Sequence, residues 1–373
     1  MANFLCNCSF SYFLLTGFLS FFITTFSIPS IIHVARIHHL YDESRRLREG
    51  HDLGIPRLGG VAIFVGFTVT TLLFYVNDHA LSVNYLVCAC ILLFIIGLKD
   101  DLTGVNPGTK FLIQIIVCGI LIFPANIRLT SLFGIFGIYD IPYFVSVCLS
   151  VLLILLVVNA FNLIDGIDGL AAITGIIVNG TFGIFFIYLH QYQLATVSFS
   201  ITAAIAGFLR FNITPAKIFM GDTGSLLIGL ISVVMALKFL KVNMEMTPKD
   251  RIFSFPAITL AILIGPIFDT IRVFIIRVAN GISPFTADRN HIHHCMLKLG
   301  FNHIQTTLIL TGTNIAAISL VFLMRNFGDT ILIILIAFIS LLFNCTITYL
   351  IRSKQREKLS LRNLFIYRYK QLK

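Results

Sequence analysis

Charge is scarce in this sequence. Only 12% of its 373 residues are Asp, Glu, Lys or Arg, against 57% hydrophobic ones, and the mean hydropathy is +0.93. Soluble globular domains carry roughly a quarter charged residues. The soluble classes are therefore excluded, and the chain reads as a polytopic membrane protein. Strict apolar–polar alternation is scarce as well, which argues against barrel strands. Long unbroken apolar runs suit helices, which satisfy their own backbone hydrogen bonds in lipid. The eight cysteines include no C-x-x-C pair. Cys88, Cys90, Cys118, Cys148 and Cys345 lie in apolar runs and read as small hydrophobes. Cys6 and Cys8 stand near the start, where oxidation is open to them if that end is outside. No basic stretch precedes the first apolar run, Phe10 to Ile32, and the run is too long for a signal-peptide core. It is expected to stay as an uncleaved first span. Low-complexity segments, a soluble domain and a clear internal repeat are all missing, which weakens an inverted-repeat transporter.

Windows of about 20 apolar residues give eleven expected spans, at 10–32, 58–76, 81–98, 110–125, 141–160, 170–189, 194–210, 224–240, 256–276, 305–325 and 330–351. The expected fold is thus an all-α integral membrane bundle. The formal charge of +10 raises nucleic acid as a partner, but the basic residues flank the spans. They read instead as a topology signal and an attraction to anionic membrane lipid. Arg36, Arg45, Arg46, Arg48 and Arg57 lie between the first two spans, and Arg352, Lys354, Arg356, Lys358, Arg362, Arg368, Lys370 and Lys373 follow the last. Both groups belong in the cytoplasm, and the ten spans between them agree in parity. The N-terminus is then outside, and residues 1–351 form the membrane domain ahead of a basic cytoplasmic tail, 352–373. Lys241, Lys249 and Arg251, which would fall outside, run against this orientation.

In this topology the chemically rich loops gather on one side. Lys99-Asp100-Asp101 ends the third span; Asp100 and Asp101 are catalytic candidates, one as base and the other as orienter or metal ligand, against the alternative of a solvated Asp-x-x-Gly turn. In Asn159-Ala160-Phe161-Asn162-Leu163-Ile164-Asp165-Gly166-Ile167-Asp168-Gly169-Leu170, a helical path would put Asp165 and Asp168 on one face, where two like charges need a cation or donors between them. Phe219-Met220-Gly221-Asp222-Thr223-Gly224-Ser225 opens the eighth span. Asp222 or Thr223 can cap it, and its free N–H groups offer a phosphate cradle beside a carboxylate able to hold magnesium. In His291-Ile292-His293-His294 a helix would set His291 and His294 on one face and turn His293 away. With Arg289 nearby, diphosphate binding fits better than zinc, which lacks a completing acid. His33, His38, His39 and His303 are expected to face headgroups. Asp269 and Arg272 are expected to pair across one helical turn, with no catalytic role.

Together these motifs, with Pro56-Arg57-Leu58-Gly59-Gly60, resemble the polyprenyl-phosphate N-acetylhexosamine-1-phosphate transferases of bacterial envelope polysaccharide synthesis. The resemblance covers most of the chain. It implies transfer of a sugar 1-phosphate from a UDP-N-acetylhexosamine to a polyprenyl phosphate such as undecaprenyl phosphate, with release of UMP and a need for Mg²⁺ or Mn²⁺. It implies that Asp222 is the metal ligand, that Phe219 packs against uracil, and that Asn162, Asp165 and Asp168 bind the nucleotide-sugar with Arg289, His291, His293 and His294. Asp100 would be the base toward the lipid phosphate, with Asp101 and Lys110 beside it. The HIHH wording resembles the branch using small UDP-N-acetylhexosamines. The implied setting is a bacterial inner membrane with the site facing the cytoplasm, and a homodimer is compatible with it. Two other classes remain: an ion-coupled transporter using the same carboxylates, and an intramembrane aspartyl protease, whose Gly-x-Gly-Asp signature Met220-Gly221-Asp222 lacks in its first glycine.

Overall fold

The computed structural model describes residues 9–40, 54–75, 82–135, 137–281 and 290–371. Every expected span has its helix: α1 Ser9–Ile37, α2 Gly59–Leu73, α3 Val83–Thr103, α4 Pro107–Ile122, α5 Tyr143–Ile164, α6 Leu170–Tyr188, α7 Tyr192–Asn212, α8 Gly221–Glu245 and α9 Phe255–Ala279, then the short α10 Ile292–Leu299, and finally α11 His303–Leu323 and α12 Asp329–Gln371. Eight of these are long and apolar enough to cross a membrane, while α2 and α4 are shorter apolar helices. The chain is an all-α multi-pass membrane protein. The helix holding the last expected span runs on to Gln371, well past residue 351.

The bundle is built around α8. Every residue from Thr223 to Leu240 is buried, and α2, α3, α5, α6, α7 and α9 all pack on this helix. A helix apolar on all sides belongs at the centre. With no hydrophobic force between helices in lipid, close backbone approach and hydrogen bonds must hold it. Gly60 supplies such an approach, because a methyl group there would collide with the Gly224 backbone of α8. Side chains tie the same core: Asn179 of α6 donates to Ser232 Oγ at 2.9 Å and Asn162 of α5 to Ser225 Oγ at 3.0 Å.

Two features escape the span pattern. A small hairpin, β1 Ser131–Ile135 and β2 Ile138–Asp140, pairs antiparallel with Ser131 opposite Asp140. It is moored to α5, where Arg128 donates to Ser146 Oγ at 2.7 Å and the Leu129 N–H to Ser150 Oγ at 2.8 Å. The second is Pro266 inside α9, which has no N–H for the Ile262 carbonyl one turn back. Asn314 of α11 replaces that donor, its Nδ2 lying 3.3 Å from the Ile262 oxygen. The half of α9 after the proline carries Asp269 and Arg272.

Candidate active site

Loops far apart in sequence meet at one end of the bundle around a cleft of ≈ 140 Å³, lined by Arg57, Asp101, Asn162, Asp165, Gly166, Ile167, Asp168, Asn212, Phe219, Gly221 and Asp222. Backbone pairing sets its floor. The Phe219 N–H donates to the Pro56 carbonyl, and the Gly59 and Gly60 N–H groups donate to Phe219 and Met220. The loop before α2 is therefore laced to the loop before α8.

Asp101 joins α3 to the start of α8. Its Oδ1 accepts the Asp222 N–H at 2.8 Å, and its Oδ2 accepts the Thr223 N–H at 2.9 Å and the Thr223 hydroxyl at 2.6 Å. An anion at a helix N-terminus satisfies its orphan donors and its dipole. Gly221 makes room: at φ +72° it adopts a conformation that side chains resist, and a Cβ there would strike the Asp101 carboxylate and the Arg57 carbonyl. The expected open phosphate cradle is thereby corrected. Two of its N–H groups are already engaged, and the cap comes from Asp101 of α3, not from Asp222 or Thr223.

Asp222 is turned to the cleft instead. Its Oδ1 accepts from Asn162 Nδ2 at 2.8 Å, and its Oδ2 is in direct contact with the Lys110 ammonium of α4. Lys110 also lies 3.4 Å from Asp100 Oδ2, while Asp100 Oδ1 accepts the Val105 N–H at 2.6 Å. Lys110 thus links two acids that do not otherwise meet. Among the described residues no three His, Cys, Asp or Glu side chains converge as a metal site. Magnesium, however, commonly takes one or two carboxylates, with substrate phosphates and water completing its shell. Asp222 is a cleft-lining carboxylate of the kind that pattern uses, with its two oxygens here engaged by Asn162 and Lys110.

The path from Asp165 to Gly169 is a turn, contrary to the helical expectation. Asp165 ends α5, and Gly169, at φ +76°, starts α6. The turn puts Asp165 and Asp168 on the same cleft. Asn212 anchors it, accepting the Gly169 N–H at 2.9 Å and donating to the Ile218 carbonyl at 3.0 Å. Asp168 Oδ2 lies 3.5 Å from His303 Nδ1. Burial would raise the Asp168 carboxyl, but His303, the Thr214 hydroxyl and the Ala216 N–H together hold it below its ordinary value. His303 therefore serves the site, where headgroup contact was expected; His33, His38 and His39 are exposed.

The histidine motif stands behind the cleft wall. Its helix begins at Ile292, so His291 is the extended N-cap residue, with φ −57° and ψ 148°. The expected shared face of His291 and His294 is thus overturned. His291 stacks on His293 instead, with centroids 5.7 Å apart and rings 12° from parallel. His293 is 1% exposed, its ring lies against Gly166, and burial, then the neighbouring His294, pushes its pKa down to about 3. Of the expected site residues, Asp101, Asn162, Asp165, Asp168, Phe219 and Asp222 line the cleft, and Asp100 and Lys110 adjoin it. Arg289 lies outside the described residues. Asn212, which pins the turn, and Arg57, which lines the cleft, are not among the expected site residues; the Pro56-to-Gly60 motif is the available signal for Arg57.

The profile of glycosyl transferase family 4 matches residues 83–240, which hold the α3 to α8 part of this cleft. A Pasteurella multocida undecaprenyl-phosphate alpha-N-acetylglucosaminyl 1-phosphate transferase is 35% identical over 273 residues, 71% of this chain and 73% of its own. The chain belongs to glycosyl transferase family 4. Other family members bearing the same name are similar over comparable lengths. The Salmonella typhi protein is 30% identical over 71% of each chain, and the Escherichia coli K12 protein is 29% identical over 78% of each.

Proposed function

We propose that this protein transfers N-acetylhexosamine 1-phosphate, with GlcNAc 1-phosphate the first candidate, from a UDP-sugar to undecaprenyl phosphate or a similar polyprenyl phosphate. The products are UMP and a polyprenyl-diphosphate sugar. The observation that carries this reading is the Asp100–Lys110–Asp222 chain at the rim of a cleft whose other walls bear Phe219, Asn162, Asp165 and Asp168. Relatives named for the same transfer at 29–35% identity support it.

Joining two anions is opposed by their repulsion, so the site must supply positive charge where the phosphates meet. Lys110 receives the lipid phosphate in this reading, and Asp100 beside it takes that phosphate's proton. The freed oxygen attacks the β-phosphorus of the UDP-sugar, the bond to the bridging oxygen breaks, and that oxygen leaves with UMP. Asp101 orients the start of α8 and, with it, Asp222. Asp222 would hold Mg²⁺ or Mn²⁺, whose charge would neutralise the diphosphate. Asn162, Asp165 and Asp168 face the nucleotide-sugar, Phe219 offers its ring to uracil, and Arg289, His291, His293 and His294 complete the nucleotide-sugar side. The setting is a bacterial inner membrane, multi-pass, with the cleft toward the cytoplasm where UDP-sugars are made.

The test is to incubate membranes containing the protein with polyprenyl phosphate, Mg²⁺ and a panel of UDP-sugars. Stoichiometric UMP and lipid-linked sugar are expected from a UDP-N-acetylhexosamine. Lipid product without UMP, or no product from any UDP-sugar, overturns the reading.

A further inference from the structure

The short helix behind the cleft wall is fastened by an acid expected only to pair with Arg272. Asp269, in the post-proline half of α9, is 3% exposed. Its Oδ2 is 2.9 Å from His291 Nδ1, and its Oδ1 accepts the Ile292 N–H at 3.0 Å. The expected pair with Arg272 is present at 3.3 Å, and Arg272 also donates to the Asn290 carbonyl at 2.7 Å. One buried ion pair thus grips three consecutive residues at the entry to α10. A pair serving only to make two charges tolerable in a membrane would need none of those contacts.

The contact decides the chemistry of the ring. An ionised carboxylate only accepts, so His291 Nδ1 carries a proton and Nε2 is left as the working nitrogen. Nε2 is buried and has no hydrogen-bond partner among the described residues. The same ring stacks on His293, which rests on Gly166 of the cleft wall.

We propose that Asp269 is a positioning residue for the transfer reaction. It fixes the His291 tautomer and, with Arg272, the start of α10, so that His291 Nε2 is held as a hydrogen-bond acceptor for a hydroxyl or amide N–H group of the nucleotide-sugar. The proposal rests on the transferase reading above. Carboxylates that orient functional histidines are worth roughly 10- to 100-fold where they serve metal ligands, and a loss of that order is expected here.

The test uses full-length protein in detergent, as Asp269→Asn, His291→Gln and the double variant. Hydrogen exchange should rise at least roughly tenfold at Ile292–Leu299 in Asp269→Asn, with α8 unchanged, since an amide cannot restore the same bonding to ring and backbone together. Turnover with the UDP-sugar should fall about 10- to 100-fold with KM for the polyprenyl phosphate unchanged. The double variant should be no worse than His291→Gln alone. Losses that multiply, full activity in His291→Gln, or unchanged exchange would each overturn the proposal. A purely structural role would lower thermal stability and raise both KM values together. Should Asp269→Asn not fold, Arg272→Met must loosen the same segment, and unchanged exchange there would be equally fatal. Exchange judges the clamp whether or not the transferase reading survives, so an inactive wild type with a loosened Asp269 variant would remove the substrate and keep the clamp.

Discussion

Asp100 and Asp101 are adjacent and chemically identical, yet their surroundings assign them different consequences on removal. Asp101→Ala leaves the Asp222 and Thr223 N–H groups and the Thr223 hydroxyl without their acceptor at the start of the central helix. A lost N-cap costs about 0.5–2 kcal/mol, and a hydrogen bond to a charged group about 1.5–3 kcal/mol. These figures count the same bonds, and water from the cleft can reach some of the donors, so the expected loss is about 2–4 kcal/mol. Asp100→Ala loses one backbone bond, to Val105, and a partly exposed 3.4 Å pair with Lys110. Screened pairs contribute little, so the expected loss is about 1 kcal/mol. The chain has no tryptophan, so unfolding is best followed in detergent by heating and measuring the surviving monodisperse peak. Asp101→Ala should melt several degrees below Asp100→Ala. Turnover should show the reverse order when compared per folded molecule at a temperature where both are stable: Asp100→Ala at background, Asp101→Ala reduced but measurable. Equal melting midpoints would refute the structural assignment of Asp101, and full turnover of Asp100→Ala would remove the base.

Asp222→Ala should abolish metal-dependent product formation while the protein remains monodisperse; activity retained with an unchanged Mg²⁺ titration would take Asp222 out of the metal site. Gly166→Ala drives a methyl group into the His293 ring, so either the turn or α10 must shift. Turnover should fall at least roughly tenfold, given how strongly small misplacements act on catalysis, and wild-type kinetics would deny the contact. Asp168 has a carboxyl held below its ordinary value, so its contribution to stability is complete above the unfolded-state pKa and is lost as pH falls through the lower folded one. The melting curves of wild type and Asp168→Asn should therefore converge in acid; a constant gap down to that range contradicts the linkage.

The spans were legible because the physics of lipid is coarse. A run of apolar residues long enough for the hydrocarbon layer must be helical, and each expected run, from 10–32 to 330–351, has its helix. That Asp101, Asn162, Asp165, Asp168, Phe219 and Asp222 would share a cleft was legible too, because each stands at or beside the end of an apolar run, whereas His291 and His293 stand behind its wall. The local geometry was not. A helical period applied to Asp165–Asp168 or His291–His294 fails where glycine at positive φ or an extended cap residue ends the regular path. The hairpin at Ser131–Asp140 lay hidden because a few residues of strand carry little pattern. Long-range partners were the deeper omission. Nothing near Asp101 announces that its donors lie some 120 positions away, and nothing near Asp269 announces His291.

Those two aspartates suggest how a membrane protein can keep acids at an active site without losing control of them. Asp101, near the end of α3, and Asp269, in the post-proline half of α9, each accept backbone N–H groups from the first turn of another helix, α8 in one case and α10 in the other. Each N-terminus stabilises the anion, and each anion satisfies donors that lipid could not. In both places the residue thereby located is one proposed to act in the reaction: Asp222, whose own carboxylate is turned to Lys110, and His291, whose buried second nitrogen has no hydrogen-bond partner among the described residues. Neutralising a locating acid should therefore displace its neighbour without changing that neighbour's chemistry. Asp101→Asn is expected to weaken the apparent affinity for Mg²⁺ while saturating metal recovers much of the rate, whereas no metal concentration should rescue Asp222→Ala. If Asp101→Asn behaves like Asp222→Ala at every concentration, Asp101 is itself a ligand and the division of labour does not hold.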